Sequence, residues 1–243
     1  MKDKQIILVT GASDGIGKEI ARQLLAQHHH VILGVRDMKK GHLVAKELRA
    51  VSDEVSVFRL DVTIPMTVKV TAQQVKDKFG YIDALVNNAG VALDRGPVSN
   101  MLMSDVKMTF ATNIIGTIDV TQQFIPLLKK SPHGHGRIVN VSSGLASLTN
   151  MTDEESQFYD IALPVYAASK AALNVFTIHL SRELKSSGIS VNAVDPSLTA
   201  TRYVQHPDAQ PVSLGAEAAV KYALMGEDCP TEGFYSRKGV VPW

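Results

Sequence analysis

Tyr166 and Lys170 bracket the stretch Tyr166-Ala167-Ala168-Ser169-Lys170, and on a helix residues four apart share one face. Tyrosine titrates near pKa 10 in water, whereas a useful general acid or base works nearer the operating pH. Moving it by about 3 units takes roughly 4 kcal/mol. One cation about 4 Å away contributes roughly that much at an effective dielectric near 20. Lys170 is therefore expected to draw Tyr166 down, and its ammonium can also hold a ribose. Upstream, Ser143 closes the apolar run Arg137-Ile138-Val139-Asn140-Val141-Ser142-Ser143, from which its hydroxyl can donate to a carbonyl oxygen. Ser142 competes, because strand alternation sends it the other way only if the strand stays regular.

A second group opens the chain. Thr10-Gly11-Ala12-Ser13-Asp14-Gly15-Ile16-Gly17 follows the apolar run from Ile6. A strand handing over to a helix at such a turn presents free N–H groups to a pyrophosphate. Gly11 permits the tight turn, Gly15 close backbone approach, and Gly17 packing of the helix on the strand. Ser13, Asp14 and Ile16 complete the expected cradle. The spacing differs from G-x-G-x-x-G, but the physics is the same. At the end of the second strand stand Val35 and Arg36, with Lys39 and Lys40 opening the next helix. An acidic residue there would bond ribose hydroxyls, whereas Arg36 can clamp a 2′-phosphate bidentately and Lys40 adds a point charge. NADP(H) is thus favoured over NAD(H); Asp14 pulls the other way if it lies near that phosphate, and a solvated helix start is the plainer use of Arg36 and Lys40. Asp61, with Val62 after it, is placed to accept from an adenine amino group. In Asn87-Asn88-Ala89-Gly90 small residues let backbone pass under the cofactor while the asparagines lock the turn. Tyr166, Lys170, Pro196, Thr199 and Thr201 complete the expected cofactor contacts, and Ser143 and Tyr166 the substrate contacts. Asn113, just before Gly116, is expected to bend its helix and hold a water that resupplies protons to Lys170; taken alone it reads as a surface helix polar.

The elements that must position these groups follow from periodicity. Strands are expected at Ile6–Thr10, Val31–Val35, Val55–Leu60, Ala84–Asn87, Arg137–Val141, Ser190–Val194 and Phe234–Ser236. Helices are expected at Ile16–Gln27, Lys39–Arg49, Met66–Phe79, Ser104–Lys129, Val165–Ser186 and Ala216–Met225. Strands this apolar are covered on both faces. The expectation is an α/β, single-domain, doubly wound Rossmann fold over residues 1–243, with a mostly parallel seven-stranded sheet and a crevice at the strands' carboxyl ends. Gly144–Pro164 is a long connection expected to hold its own helix or act as a lid. Thr199–Leu214, with Pro207 and Pro211, falls where a substrate-covering loop belongs. Phe158, Tyr159 and Tyr203 are pocket candidates from their loops alone.

Bulk properties narrow the class. With 243 residues, 45% of them apolar and 20% charged, the chain can build a sizeable core without long disorder. The net charge of +1 gives nucleic acid binding no support. Cys229 is the only cysteine, so no internal disulfide can form and a reducing, cytoplasmic setting is expected. The first apolar run is too short for a signal-peptide core, and no segment approaches a membrane span. No metal is expected: His28-His29-His30 are consecutive at a turn and point apart, and His133 and His135 flank Gly134 in a loop. Met101, Met103 and Met108 could line an adaptable pocket, although core filling is the commoner use.

Taken together, T-G-x-x-x-G-x-G at Thr10–Gly17, N-N-A-G at Asn87–Gly90, N-x-x-G at Asn113–Gly116, Ser143, Tyr166 and Lys170 resemble the short-chain dehydrogenase/reductase family along almost the whole chain. The resemblance implies a catalytic tetrad of Asn113, Ser143, Tyr166 and Lys170. Arg36-Asp37, the insert before Tyr166 and the ending Gly233-Phe234-Tyr235-Ser236-Arg237-Lys238 look most like single-domain NADPH-dependent carbonyl reductases and their plant-type relatives. Family members with that insert tend to be monomers, with a homo-oligomer the alternative. Two features depart from the pattern: Pro196-Ser197 replaces Pro-Gly and follows Asp195, and the insert is shorter than in animal carbonyl reductases. Both bear on the substrate rather than the reaction type. The implied activity is hydride transfer between NADP(H) and a ketone, an aldehyde or a secondary alcohol. The alternatives are a non-catalytic dinucleotide sensor or interaction module, which would not need an intact Asn-Ser-Tyr-Lys set, and a sugar-nucleotide epimerase or dehydratase, whose larger substrate domain has no room after Leu198.

Overall fold

Apolar runs separated by amphipathic segments assemble into one sheet sandwiched between helices. A computed structural model of the chain describes residues 4–94, 97–202 and 204–243. The strands are β1 (Ile6–Thr10), β2 (His30–Val35), β3 (Val55–Arg59), β4 (Ala84–Asn87), β5 (Gly136–Val141), β6 (Ile189–Asp195), β7 (Phe234–Ser236) and β8 (Gly239–Val240). Their order is β3-β2-β1-β4-β5-β6-β7-β8, parallel as far as β7. The sheet has eight strands rather than the seven expected. The addition, β8, is two antiparallel residues on the edge, too short to carry a period.

The helices are α1 (Gly15–Ala26), α2 (Met38–Leu48), α3 (Pro65–Phe79), α4 (Met103–Phe110), α5 (Thr117–Leu128), α6 (Leu148–Thr152), α7 (Pro164–Leu184) and α8 (Val212–Leu224). Alternate strand residues divide between two cores. Ile7, Val9, Val31, Leu33, Val86 and Val139 face α1, α2 and α8. Leu8, Ile32, Leu85, Ile138 and Val191 face α3, α5 and α7. Each such side chain taken wholly out of water contributes roughly 1.5–3 kcal/mol. Because both faces are dry, the strands are nearly uninterrupted apolar runs.

The helix expected over Ser104–Lys129 is α4 and α5 joined by a π-helical turn, Ala111–Gly116, centred on Asn113 and Ile114. Such turns widen a helix locally and re-aim its side chains. The turn ends in close contact with the segment after β3: a Cβ on Gly116 would lie 2.5 Å from the Val62 carbonyl oxygen. Threonines satisfy carbonyls along the distorted stretch, Thr117 donating to Asn113 and Thr121 to Thr117. Met103 and Met108 are 61% and 57% exposed, so neither fills the core.

The order of strands reverses between β1 and β4, which opens a crevice at their carboxyl ends. Two connections border it. The Gly144–Pro164 insert holds α6, and the loop after β6 runs to α8. No helix among the described residues is long and apolar enough to cross a membrane.

Candidate active site

β1 delivers Thr10 to the crevice, and the chain turns with φ of +64° at Gly11 and +48° at Gly15, where glycine alone is comfortable. A Cβ on Gly11 would also come within 2.9 Å of the Ala89 Cα. Asp14 caps α1 by accepting from the Gly15 N–H at 2.9 Å. The N–H groups of Ile16 and Gly17 follow in the first turn, where a helix has no internal acceptors and its dipole favours an anion. That cradle fits a dinucleotide pyrophosphate. Ser13 is half-buried beside it. Gly17 packs on the turn after β4 as well as on its own strand's end: a Cβ there would lie 2.3 Å from Asn88 Nδ2 and 2.5 Å from the Gly11 oxygen. Thr10 ties the two turns together. Its Oγ1 accepts from the N–H groups of Asn88 and Ala89, each at 3.0 Å, while Asn88 Nδ2 donates to the Thr10 carbonyl at 2.9 Å.

Arg36 is exposed at the end of β2 and makes no ion pair among the described residues. Lys40, expected beside it as a second charge for a phosphate, instead donates to Asp14 Oδ2 at 2.7 Å. Arg202 Nε lies 3.7 Å from the same oxygen. The Lys40 hydrogen bond holds the Asp14 carboxyl below its usual range, against a smaller burial effect. Asp14 therefore opposes an incoming phosphate less than its bare charge implies. Asp37 caps α2 through the Lys39 and Lys40 N–H groups. Asp61 Oδ1 is engaged by Thr63, from its N–H at 3.0 Å and its hydroxyl at 2.7 Å. The Val62 side chain turns into the core, so only its main chain is left toward the crevice.

Tyr166, Ser143, Lys170 and Asn113 come together around the ends of β4 and β5. The Ser143 hydroxyl lies near enough to the Tyr166 phenol to favour its ionised form. Ser142 is excluded from the crevice: it is buried, with its Oγ donating to Asn174 Oδ1 at 2.7 Å. Lys170 Nζ donates to the Val141 carbonyl at 2.7 Å and lies 5.8 Å from the centre of the Tyr166 ring. The lysine was expected to lower the phenol's pKa, but the outcome is the reverse. Burial pushes Tyr166 up to about 12, with the Ser143 hydroxyl opposing and the Asp195 charge adding to the rise. Burial also pushes Lys170 down to about 8. The ammonium is aimed at a backbone carbonyl rather than at the phenol, so desolvation wins for both groups.

Asn113 is fully buried, not a surface polar. Its amide is spent on protein: Oδ1 accepts from the Val91 N–H at 2.8 Å, and Nδ2 donates to the Val91 carbonyl at 2.8 Å and to Ser169 Oγ at 3.0 Å. Between it and Lys170 lies Gly90, where a Cβ would be 3.4 Å from both Asn113 Oδ1 and Lys170 Nζ.

Behind these groups runs a buried amide–hydroxyl ladder that the sequence signalled only as polar residues inside apolar strands. Asn87 Nδ2 donates to Thr121 Oγ1 and to Asn140 Oδ1, both at 2.9 Å, and Asn140 Nδ2 donates to Thr177 Oγ1 at 2.8 Å. It fastens β4, β5, α5 and α7 to one another. Asp94 was likewise not anticipated. It accepts from the backbone N–H groups of Val165 and Tyr166.

After β6 the departures Asp195 and Ser197 prove to be partners. Ser197 has φ +56°, the left-handed region where the resembled pattern has glycine. Asp195 Oδ1 accepts its N–H at 2.9 Å, a local bond that offsets a strain on the order of 1–2 kcal/mol. Burial pushes the Asp195 carboxyl up, opposed by the Ser197 and Gly144 N–H groups near it. The Pro196 carbonyl takes bonds from Thr199 Oγ1 and Gln210 Nε2, each at 2.7 Å. Thr199 is thereby turned inward onto Gly215, away from the crevice. Thr201 reaches the phosphate turn, its methyl 3.5 Å from where a Gly15 Cβ would stand. On the insert, Phe158 lays its ring against Gly144, close enough that a Cβ there would overlap it. Tyr159 is 46% exposed, and Tyr203 lies outside the described residues.

A doubly wound sheet with a glycine turn at its switch point and a Tyr-x-x-x-Lys helix beside a strand-end serine is the architecture of a dinucleotide-dependent oxidoreductase. The chain belongs to the short chain dehydrogenase family, whose model matches residues 5–211. It is 33% identical to the short-chain dehydrogenase/reductase ATR10 of Stachybotrys chlorohalonatus, covering 98% of this chain and 90% of that protein. It is 34% identical to human retinol dehydrogenase 11, covering 83% of this chain and 63% of that one. Among solved structures it resembles the NADPH-bound carbonyl reductase from chicken fatty liver, with TM-score 0.87, 26% identity and 99% of both chains covered. Salutaridine reductase from Papaver somniferum is similar at TM-score 0.81 and 28% identity, over 96% of this chain and 99% of that one.

Proposed function

We propose that this chain is an NADP(H)-dependent carbonyl reductase, a single catalytic domain over residues 1–243 that interconverts a ketone or aldehyde with the corresponding alcohol. The observation that carries the reading is the meeting of Tyr166, Ser143 and Lys170 on the floor of a dinucleotide crevice, where burial keeps the Tyr166 phenol neutral. NADPH-bound relatives of similar fold support the choice of coenzyme, as does Arg36 at the end of β2. The Gly11–Gly17 turn, Arg36, Asp61 and the Asn88–Gly90 turn would hold the coenzyme, which supplies or accepts the hydride.

In the reducing direction Ser143 donates a hydrogen bond to the carbonyl oxygen and fixes it against Tyr166. Tyr166 then gives its phenolic proton to that oxygen as charge develops there. Lys170, still mostly an ammonium at pH 7, stands by the phenolate that forms. Its positive charge on the same side of the ring favours that phenolate. Asn113 serves by clamping Val91 and Ser169, which holds the loop under the site. Phe158 and the Ser143–Gly144 turn make one wall of the substrate space.

The test is consumption of NADPH and of NADH with a panel of activated ketones, aldehydes and quinones, run beside Tyr166→Phe. Turnover with NADPH that the substitution abolishes supports the reading. Tight NADPH binding without turnover on any compound would instead point to a sensor.

A further inference from the structure

Helix α7 starts without a cap of its own. Leu163 occupies the cap position and offers no acceptor, and Pro164 at the first helical position has no N–H. The first donors left over are the N–H groups of Val165 and Tyr166. Asp94, from the segment after β4, takes both. Its Oδ1 accepts from Val165 at 2.7 Å and its Oδ2 from Tyr166 at 3.1 Å. A carboxylate there does for α7 what a local Asp or Ser does for an ordinary helix, and its charge suits the positive end of a 21-residue helix.

The same segment is held a second time. Asn113 binds both backbone groups of Val91, three residues before Asp94, and also Ser169, one turn beyond Tyr166. Further back, the Asn88 and Ala89 N–H groups are fixed on Thr10. The stretch from Asn88 to Asp94 therefore runs from the cofactor turn to the start of the catalytic helix, pinned at both ends and in the middle. Asp94 bonds the main chain of the very residue that carries the phenol.

We infer that Asp94 is a positioning residue for Tyr166: from outside the helix it fixes where α7 begins, and so where the phenol stands against Ser143. This rests on the reductase reading only in taking Tyr166 as the proton donor.

The test uses the full chain with Asp94→Ala and Asp94→Asn, the second keeping an acceptor without the charge. Two properties are read. One is kcat for a carbonyl substrate with NADPH, alongside the NADPH Kd. The other is titration of the Tyr166 phenol in the free protein, followed by ¹³Cζ NMR and assigned with Tyr166→Phe. In Asp94→Ala kcat is expected to fall on the order of fivefold, equivalent to about 1 kcal/mol in the barrier. NADPH Kd should stay unchanged, the phenol should titrate lower than in the parent, and Asp94→Asn should recover most of both. Unchanged kcat and phenol titration in Asp94→Ala would overturn the inference. So would an Asp94→Asn variant as impaired as Asp94→Ala, or parallel loss of NADPH binding, since either marks general support of the fold. If the parent turns over no carbonyl compound, the reductase reading fails, and the phenol titration alone decides the role of Asp94.

Discussion

Lys40 and Lys170 are the same side chain at the two ends of one crevice, and they behave differently. At the rim Lys40 is 38% exposed and pairs with Asp14 at 2.7 Å. On the floor Lys170 is 4% exposed, donates to a carbonyl and is driven by burial down to about 8. The acids repeat the contrast. Asp14 at the rim is held low by its lysine, while Asp195 on the floor is pushed up by burial. At the rim the choice of partner decides charge; on the floor the loss of water decides it. Changes on the floor should accordingly alter chemistry and pH-dependent stability, and changes at the rim should alter coenzyme choice, weakly and in a salt-sensitive way.

The largest effect is expected from Tyr166→Phe, which should lower kcat by about 10²–10⁴-fold while NADPH Kd barely moves. Its stability should match the parent's at neutral pH. Below pH 10 the phenol is neutral in both states, and as pH rises from 10 through 12 the unfolded chain ionises first and the parent loses stability, so only there should the variant outlast the parent in urea. Loss of NADPH affinity equal to the loss of kcat would break the division between floor and rim.

Lys170→Met should lose turnover yet be more stable at pH 7. It removes a burial cost on the order of 3 kcal/mol, from which the lost bond to Val141 takes back about 1. With a folded pKa near 8 and an unfolded one of 10.5, the parent's stability falls as pH drops through that window. The variant's advantage, measured by urea unfolding, should therefore fade between pH 8 and 10.5 and be gone above it.

Rim effects are smaller. Arg36→Ala should weaken NADPH about 10- to 100-fold, the worth of a charge-assisted hydrogen bond, and NADH less than about twofold by fluorescence titration. Equal losses would remove Arg36 from coenzyme choice. Asp14→Asn keeps the α1 cap and frees Lys40. It should change stability by less than about 1 kcal/mol, as exposed pairs do, and tighten NADPH severalfold at low salt only.

What the sequence made legible follows the same division. β1, β4 and β7 were found to the residue, and the other strands and most helices to within a residue or two; in the central strands this is because both faces are buried and the runs are apolar. Tyr166 and Lys170 were legible from i, i+4 spacing, and Gly11 and Gly15 from the turn that needs them. Three things were not legible. The π turn at Asn113 lies where Gly116 meets Val62 across the fold, a contact that local periodicity does not reveal. The cap on α7 comes from Asp94, a residue 71 positions before Val165. The direction of the Tyr166 shift depends on where Lys170 Nζ points, which is set by the Val141 carbonyl and not by spacing along a helix. Local patterns carried the elements and motifs, whereas contacts between distant segments set how they act.

That burial, rather than ion pairing, sets the charge on the floor of the crevice is tested most directly by the titration of Lys170 itself. In protein labelled with ¹³Cε-lysine, with the resonance assigned through Lys170→Arg, the side chain should titrate near 8. A midpoint at 10 or above would mean that the lysine keeps its charge by pairing, and the floor would then obey the same rule as the rim.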